Sequence, residues 1–188
     1  TNNEHLYFKP CITWTRISSA GFFCRESGDG FLWDVNGSIA VPKNVQDTDA
    51  LLGLMCSKVA GVILDVLAPT ISKNIENIAA IPVQKSLLKN SGANSSTLRA
   101  LGKSDWDSYE TSWDFKTLPL LSSDNRGANM ADIYAKLRTH WQSMTDEMRR
   151  LEEENNKIFI DAYGLQEELT PEVPIKEITL TCNPHFRY

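Results

Sequence analysis

Short runs of alternating apolar and polar residues make up the first forty residues of the chain. Ile12 and Trp14 alternate with threonines, and further apolar runs lie at 22–25, 31–35 and 39–41, the last before Pro42. Turn-forming residues separate these runs at 18–21, 28–30 and 36–37. Period-two runs joined by short glycine turns are typical of a meander. The pattern therefore predicts a twisted antiparallel sheet over residues 10–42.

Beyond residue 47 the apolar spacing changes to that of a helix. Asp47 or Thr48 can cap its start, and Pro69 ends it. One nearly continuous helical face is formed by Leu51, Leu52, Met55, Val59, Val62, Ile63 and Val66. The spacing predicts a single helix over 47–67. The run 81–83 contains Pro82, which an edge strand tolerates, and we expect such a strand there.

Residues 104–115 carry four aromatic and four acidic side chains. Ser104 can cap a helix start. Trp106, Tyr109 and Trp113 then fall at i, i+3 and i+7, so the three rings share one stripe. This pattern predicts a short amphipathic helix that begins at Ser104 and buries its rings as a plug in a core.

The pattern of residues 129–163 predicts one long helix that Gly164 ends. Its apolar positions alternate in steps of four and three, which is a heptad seam: Leu137, Trp141, Met144, Met148, Leu151, Asn155, Ile158, Ala162 and Leu165. Such a seam favours a coiled coil, with a helix partner for 137–165 from the same chain or another. The alternative is an ordinary long helix on a globular core. A strand-like run follows at 178–182.

These elements predict an α+β fold, a small twisted antiparallel sheet with packed helices plus one long heptad-patterned helix. We expect a β-rich region with its helix over 1–101 and an aromatic helix and loop over 102–128. The long helix follows over 129–165, and residues 166–188 form an exit segment. The first residue is not Met and the last follows a strand-like run, so we expect a fragment of a longer protein.

Composition narrows the function classes. The net charge of the 188 residues is −5 and 41% of them are hydrophobic, as in soluble proteins. Residues 1–101 hold 9 bases and 8 acids, whereas residues 102–188 hold 10 bases and 16 acids. The longest apolar run, 59–67, contains Asp65 and is too short to cross a membrane. The four cysteines are spread through the sequence without a CxxC pair or signal peptide, which favours a reducing cytoplasm and no metal site.

Motifs for chemistry are missing from the sequence. It contains no Gly-x-Ser-x-Gly elbow, no Cys/His pairing that stands out and no glycine-rich phosphate loop. We therefore expect no catalytic residue, no cofactor-binding residue and no metal ligand in this chain.

Three stretches, 9–19, 104–115 and 158–173, resemble phrases of one protein family in their expected order. The family is the large bacterial adenine-specific DNA methyltransferases of the BREX (phage growth limitation) type, with their type IIG relatives that carry fused restriction activity. In that family these phrases belong to the region that recognises the DNA target. The resemblance implies a target-recognition fragment whose partners are double-stranded DNA and the remaining domains of the same enzyme.

The resemblance also implies the chemistry of the parent enzyme, which transfers a methyl group from S-adenosylmethionine to adenine N6. Residues 183–186, Asn-Pro-His-Phe, nearly match the Asn-Pro-Pro-Tyr/Phe motif that holds a flipped adenine. His185 replaces the second proline, and no glycine-rich cofactor turn precedes the run. We therefore expect the catalytic motif before Thr1 and no cofactor in the fragment itself.

Candidate DNA contacts lie in the nearly neutral first half. Arginine can bind guanine and asparagine can bind adenine through two hydrogen bonds, whereas lysine and serine contact phosphates. The candidates at strand ends, turns and the following segment are Lys9, Arg16, Ser18, Ser19, Arg25, Asn36, Lys43, Lys73 and Asn74. We expect the rings of Trp14, Phe22, Phe31 and Trp33 to lie in the core instead.

The charge balance favours a different interpretation. A net negative chain is poorly suited to binding phosphates, since phosphate contact favours a basic surface. The alternative function is a protein–protein interaction module, in which the heptad helix and the acidic second half dock on another protein without touching DNA.

Overall fold

The computed structural model describes residues 3–19, 21–34, 36–84, 86, 92 and 94–186. The chain forms two compact units. Unit 1 consists of Thr1–Ser96 and Asn155–Pro171, and unit 2 consists of Thr97–Glu154 and Glu172–Tyr188. Both units therefore combine chain segments that are far apart in sequence.

A small antiparallel sheet opens unit 1. It has β1 (Cys11–Thr15) in the centre, flanked by β2 (Cys24–Ser27) and β3 (Gly37–Ala40). The face that carries Ile12 and Trp14 packs on Leu52 and Met55 of the first helix. The predicted sheet is thus confirmed. The predicted strand at 31–35 is wrong for residues 31–34, which form no strand, and Val35 lies outside the described residues.

The predicted single helix over 47–67 is two helices, α1 (Thr48–Met55) and α2 (Lys58–Leu67). Between them, Ser57 is extended, and its hydroxyl accepts a hydrogen bond from the Ala60 amide. The break leaves backbone groups at both new ends without intrahelical partners. Two consecutive asparagines of the long helix bind these groups.

Asn155 Nδ2 donates to the Gly53 carbonyl at 2.9 Å, near the end of α1. Asn156 Oδ1 accepts from the Lys58 amide, also at 2.9 Å, at the start of α2. The side chains that stabilise the break lie 102 and 98 residues away in sequence. Local apolar spacing therefore contains no sign of the break.

The main core of unit 1 joins α1 and α2 to the end of the long helix. Leu54, Val59 and Leu64 are buried against Phe159 and Ile160. Gly53 allows the close approach, because a Cβ at this position would lie 2.8 Å from Asn155 Oδ1 and 3.3 Å from the Phe159 ring. Among the described residues, two further helices follow, α3 (Ile75–Ala79) and α4 (Ser95–Trp106). The edge strand predicted at 81–83 is not formed.

The long helix is confirmed as α5 (Met130–Tyr163), whose 34 residues extend about 50 Å. Asn129 caps its start by accepting from the Asp132 amide, and Gly164 follows its end with a φ of +69°. In unit 2 the seam residue Met144 packs on Val173, Ile178 and Leu180 of the same chain. In unit 1 the seam residue Asn155 bonds to α1. Side chains of the chain itself therefore cover these parts of the heptad seam.

The strand predicted at 178–182 is wrong, since these residues form an irregular segment with turns at its end. The Asp105 carboxylate accepts hydrogen bonds from the amides of Thr181 at 2.6 Å and Cys182 at 3.0 Å. One buried carboxylate thus satisfies two backbone donors that a neighbouring strand would otherwise bind.

The predicted aromatic helix over 104–115 is also wrong, because α4 ends at Trp106, near where that helix was expected to begin. Residues after it form hydrogen-bonded turns. Lys103 bonds to the carboxylates of Asp107 and Asp114, and Asp107 also accepts from the Ser112 hydroxyl. Trp106 is 53% exposed and Trp113 is 91% exposed, so these rings do not form a buried plug.

No single helix in the described part of the chain is long and apolar enough to cross a membrane. The stretch Val45–Met55 with Lys58–Leu67 reaches that length and composition as a pair bent by 71°.

Candidate functional site

The register of the sheet divides the candidate DNA contacts between its two ends. Thr15 pairs with Gly37, so Arg16, which follows β1, and Asn36, which precedes β3, lie at one end. Ser18 and Ser19 continue the chain from Arg16. We call this end, defined by Arg16, Ser18, Ser19 and Asn36, the arginine end.

Two lysines lie at the opposite end of the sheet. Ile12 pairs with Ala40, so Lys9 precedes β1 where Lys43 follows β3, and both are exposed. Lys9 and Arg16 are seven residues apart in sequence, a distance of at most about 23 Å at roughly 3.3 Å per residue.

Arg25 lies between the two ends on the edge strand β2. It is opposite Thr13 in the register and is exposed. Within the sheet β2 pairs with β1 along one edge. Arg25 therefore lies on an edge strand. A strand holds a side chain more firmly in place than a loop does.

Arg16 is half-buried at the point where β1 meets a second segment of the chain. Its carbonyl accepts from the Lys73 amide at 2.8 Å, and the Ser18 amide donates to the Ile71 carbonyl. Its buried Nε has no hydrogen-bond partner among the described residues. A buried donor without a partner is costly, and an external acceptor would remove that cost.

The same pairing brings Asn74 towards the arginine end. Ile17 and Ser72 form an isolated antiparallel bridge two residues before it. Asn74 is exposed, its Oδ1 accepts from the Ser72 hydroxyl, and its amide donates to Asn77 Oδ1 at the start of α3.

Lys73, by contrast, is a structural residue. Its side chain is buried, and its ammonium group donates to the carbonyls of Ala68 at 2.8 Å and Leu64 at 3.3 Å. It also pairs with Asp65. A cation at these carbonyls satisfies the C-terminal end of α2. Because its ammonium group is engaged in these contacts, Lys73 does not belong to the proposed contact surface.

One acidic residue lies beside the arginine end. The Asp34 carboxylate accepts from the amides of Gly37 and Asn36, and these bonds hold the pKa of Asp34 below its usual range. The carboxylate therefore stays ionised at neutral pH. It fixes the turn that presents Asn36, and it also places a negative charge where a phosphate would be repelled.

The aromatic residues of the first section differ in their positions. Trp14 is buried, as expected, and Phe22 is half-buried and packs against both cores of unit 1. Trp33 is half-buried, whereas Phe31 is exposed, so the core prediction is wrong for Phe31.

Sequence reasoning missed Phe8, which precedes the candidate Lys9. Among the described residues other than glycine, it is the one with a positive φ, +61°. Backbone bonds with the loop hold it there, from the Phe8 amide to Phe31 and from the Gly30 amide to Phe8. Such a conformation costs about 1–3 kcal/mol and needs support from its surroundings. Phenylalanine does not favour a positive φ, so the sequence does not indicate this conformation.

The near-match to a methyltransferase motif at 183–186 has a structural role. Asn183 is buried, and its Nδ2 donates to the carbonyls of Ile175 at 2.7 Å and Ile178 at 2.9 Å. Its Oδ1 accepts from the His185 amide. The nitrogen and the oxygen of the Asn183 side chain therefore both stabilise the turn. Among the described residues, no group of three or more His, Cys, Asp or Glu side chains could hold a metal ion.

Comparisons with known proteins place this chain beside two methyltransferases. It is 32% identical over 182 residues to the adenine-specific methyltransferase PglX of Lacticaseibacillus casei (strain Zhang). It is 28% identical over 190 residues to the adenine-specific methyltransferase BrxX of Escherichia coli O9:H4 (strain HS). These matches cover 95% and 99% of the chain but 15% of each relative. No protein-family model matches the chain. The resemblance predicted from the sequence is thus confirmed.

Proposed function

We propose that the chain is the DNA target-recognition part of a site-specific adenine-N6 methyltransferase that uses S-adenosylmethionine in bacterial phage defence. The observation that carries the proposal is the similarity of nearly the whole chain to adenine-specific methyltransferases. The chain spans 15% of the length of each relative, which leaves room elsewhere for a catalytic domain. In this proposal the parent enzyme acts in the cytoplasm and supplies the cofactor site.

The sheet of unit 1 is the proposed contact surface. Arg16 has a buried donor without a partner, and Arg25 stands exposed on an edge strand. These two arginines are the best candidates to bind guanine or phosphate oxygens. The lysines at the opposite end of the sheet, at most about 23 Å away, would contact phosphates elsewhere on the duplex. The shorter side chains of the serines and asparagines at the arginine end would add further hydrogen bonds.

Weak binding by the chain alone is part of the proposal. The net charge of −5 opposes association with phosphates. The acids are concentrated in residues 102–188, however, and the nearly neutral residues 1–101 contain the sheet. Base contacts on this surface would provide specificity, and the rest of the enzyme would provide most of the affinity.

The test is selection from a pool of random duplexes by the 188-residue chain at low salt, followed by sequencing. We expect a short motif to be enriched. Arg16→Ala and Arg25→Ala should relax the motif at individual positions, and Lys9→Ala or Lys43→Ala should weaken all sequences alike. Each lost phosphate contact lowers the slope of log affinity against log salt by about 1.

Lys157→Ala is the matched control, because this exposed lysine of unit 1 pairs with Asp161 on α5, away from the sheet. It removes one positive charge without touching the proposed surface. If no motif is enriched and the arginine variants bind no differently from Lys157→Ala, the sheet is not the contact surface.

A second candidate function, docking on another protein, is favoured by one observation. Trp113 is 91% exposed beside Asp114, on the segment that was predicted to be a buried helix. Exposed tryptophans are enriched among residues that dominate protein interfaces. The exposed ring, rather than the heptad seam, is therefore the better candidate for a docking surface.

The two functions can be separated in the parent enzyme. Docking on the other domains predicts that Trp113→Ala lowers methylation of every target sequence equally, with the recognised motif unchanged. Target recognition predicts that Arg16→Ala or Arg25→Ala changes the motif. Glu110→Ala, an exposed substitution in the same acidic segment, is the control for the tryptophan variant.

A further inference from the structure

Two cysteines that are 32 residues apart in sequence lie side by side in unit 1. Cys24 begins β2, and Cys56 follows α1 at the break before α2. Their Sγ atoms are 3.3 Å apart, and Cys56 Sγ is 3.5 Å from the Cys24 carbonyl oxygen. The break places Cys56 at an exposed position, whereas Cys24 is half-buried. No local motif links these two cysteines, so the pair could not be predicted from their spacing.

We propose that Cys24 and Cys56 form a modification site, a dithiol that a low-molecular-weight disulfide such as oxidised glutathione converts to a protein disulfide. A disulfide bond is about 2.05 Å long, so the sulfur atoms need to approach by about 1.3 Å from their present positions. Cys56 lies outside both helices, so this shift does not require a turn of helix to be unwound. The proposal does not depend on DNA binding.

The reaction is a pair of thiol–disulfide exchanges. The Cys56 thiolate attacks one sulfur of oxidised glutathione, which forms a mixed disulfide and releases one glutathione thiolate. Cys24 then loses its proton and attacks the Cys56 sulfur, which releases the second glutathione. The two protons of the protein thiols end on the two glutathione molecules. Two electrons pass from the dithiol to the glutathione disulfide.

Exposure decides the order of these steps. Cys56 can be reached by glutathione, whereas Cys24 is partly covered. The hydrogen bond with Cys56, followed by burial, raises the pKa of Cys24 well above its usual value. Cys24 therefore keeps its proton at neutral pH and acts second. Because thiolates are the reactive species, the second step should become faster as the pH rises.

The other two cysteines serve as internal controls. Cys11 is buried in β1, and burial raises its pKa. Burial, together with the Asp105 carboxylate, raises the pKa of Cys182 to about 12. Neither thiol should react with glutathione disulfide while the chain is folded.

The experiment is to incubate the folded 188-residue chain with oxidised glutathione at pH 8 and to block the remaining thiols before a non-reducing tryptic digest. We expect loss of two hydrogen atoms from the intact mass and a single cross-linked product, residues 17–25 joined to residues 44–58. The bridge restricts the unfolded chain, so the urea midpoint of unit 1 should rise on oxidation. Reduction should restore the original midpoint.

Two serine variants distinguish a reacting pair from thiols that merely pack together. Cys24→Ser should accumulate one glutathione on Cys56, because no second thiol can displace it. Cys56→Ser should remain unmodified. The proposal is overturned if the native chain stays fully reduced in excess oxidised glutathione. Equal labelling of all four cysteines, or a cross-link that persists in either variant, would also overturn it.

Discussion

Trp14 in unit 1 and Trp113 in unit 2 show how differently the same residue type can be placed. Trp14 is 2% exposed, and its indole N–H donates to the Lys73 carbonyl at 3.2 Å. Trp113 is 91% exposed. Both lie in stretches whose apolar spacing suggests burial. The difference is that Trp14 meets an apolar helix face at Leu52 and Met55, whereas the residues around Trp113 are engaged in polar contacts.

The comparison shows what an apolar stripe requires in order to be buried. At 104–115 the acids determine the backbone, because Asp107 and Asp114 bond to Lys103 and Ser112 and stabilise successive turns. Asp and Ser compete with helices by local hydrogen bonds of this kind. A regular stripe is buried only where another element offers an apolar face and local polar contacts do not form first.

The largest expected effect contrasts the two rings directly. Trp14→Ala should lower the free energy of unfolding of unit 1 by about 3–5 kcal/mol, since it removes a fully buried ring. Trp113→Ala should change stability by less than about 0.5 kcal/mol, as exposed substitutions usually do. Urea unfolding followed by circular dichroism measures both. Equal losses in the two variants would contradict the placement of one of the rings.

The next effect concerns Glu152 in unit 2, a carboxyl that is largely buried, in contrast to the exposed acidic side chain of Asp114 beside Trp113. Burial, followed by repulsion from Glu177 and Glu153, raises the pKa of Glu152 to about 7 from 4.5. The folded chain therefore holds a proton that the unfolded chain releases. The contribution of this proton to the free energy of unfolding is fully present below about pH 4.5 and is lost as the pH rises to about 7.

Glu152→Gln should remove this loss. At pH 8 the variant should be more stable than the native chain by at most about 3 kcal/mol, with the two nearly equal at pH 4. Urea midpoints measured between pH 4 and pH 8 test the slope. Glu154→Gln is the control, since Glu154 is exposed and pairs with Arg150. A pH dependence that survives in Glu152→Gln would assign it to another group.

A moderate effect is expected where unit 1 relies on buried polar contacts. Asn155→Ala and Asn156→Ala should each lower the free energy of unfolding by about 1–3 kcal/mol. The first removes the partner of the Gly53 carbonyl and the second removes the partner of the Lys58 amide. Lys157→Ala, the exposed neighbour, should cost much less. Denaturation of the three variants gives the comparison. If all three behave alike, the asparagines do not stabilise the break.

The smallest effect concerns the turns that present Trp113. Lys103→Ala should leave the unfolding midpoint nearly unchanged, because exposed ion pairs contribute little. It should, however, speed amide hydrogen exchange at Asp114 and Phe115, whose amides bond within these turns. Lys116→Ala is the control. Unchanged exchange in Lys103→Ala would show that the turns form without the lysine.

Residues whose partners are close in sequence were the easiest to predict. The sheet, the long helix and its glycine stop follow from local periodicity, and the α+β class is confirmed. The break after Met55 and the irregular segment at 178–182 depend on Asn155, Asn156 and Asp105, which bind from distant parts of the chain. Local spacing cannot contain that information.

The candidate site was predictable in its chemistry but less so in its geometry. Residue type alone suggested arginines and asparagines, and only the register shows that Arg16 and Asn36 share one end of the sheet. Lysines are usually exposed, so nothing in the sequence indicated that Lys73 would be buried at the end of α2. The Cys24–Cys56 pair required the break itself, which the sequence did not reveal.

The discontinuity of unit 1 determines when it can fold during synthesis. Phe159 and Ile160 complete the core formed by Leu54, Val59 and Leu64, and the intervening residues 97–154 belong to unit 2. A ribosome releases the chain from its N-terminus, so the first 96 residues wait for Asn155–Pro171 with an open apolar face. Contacts across about a hundred residues also form slowly. The core of unit 2 forms later still, because Val173, Ile178 and Leu180 follow Asn155–Pro171 in the chain. A chaperone that binds apolar segments would therefore find its target in α1 and α2 until the end of α5 has been synthesised.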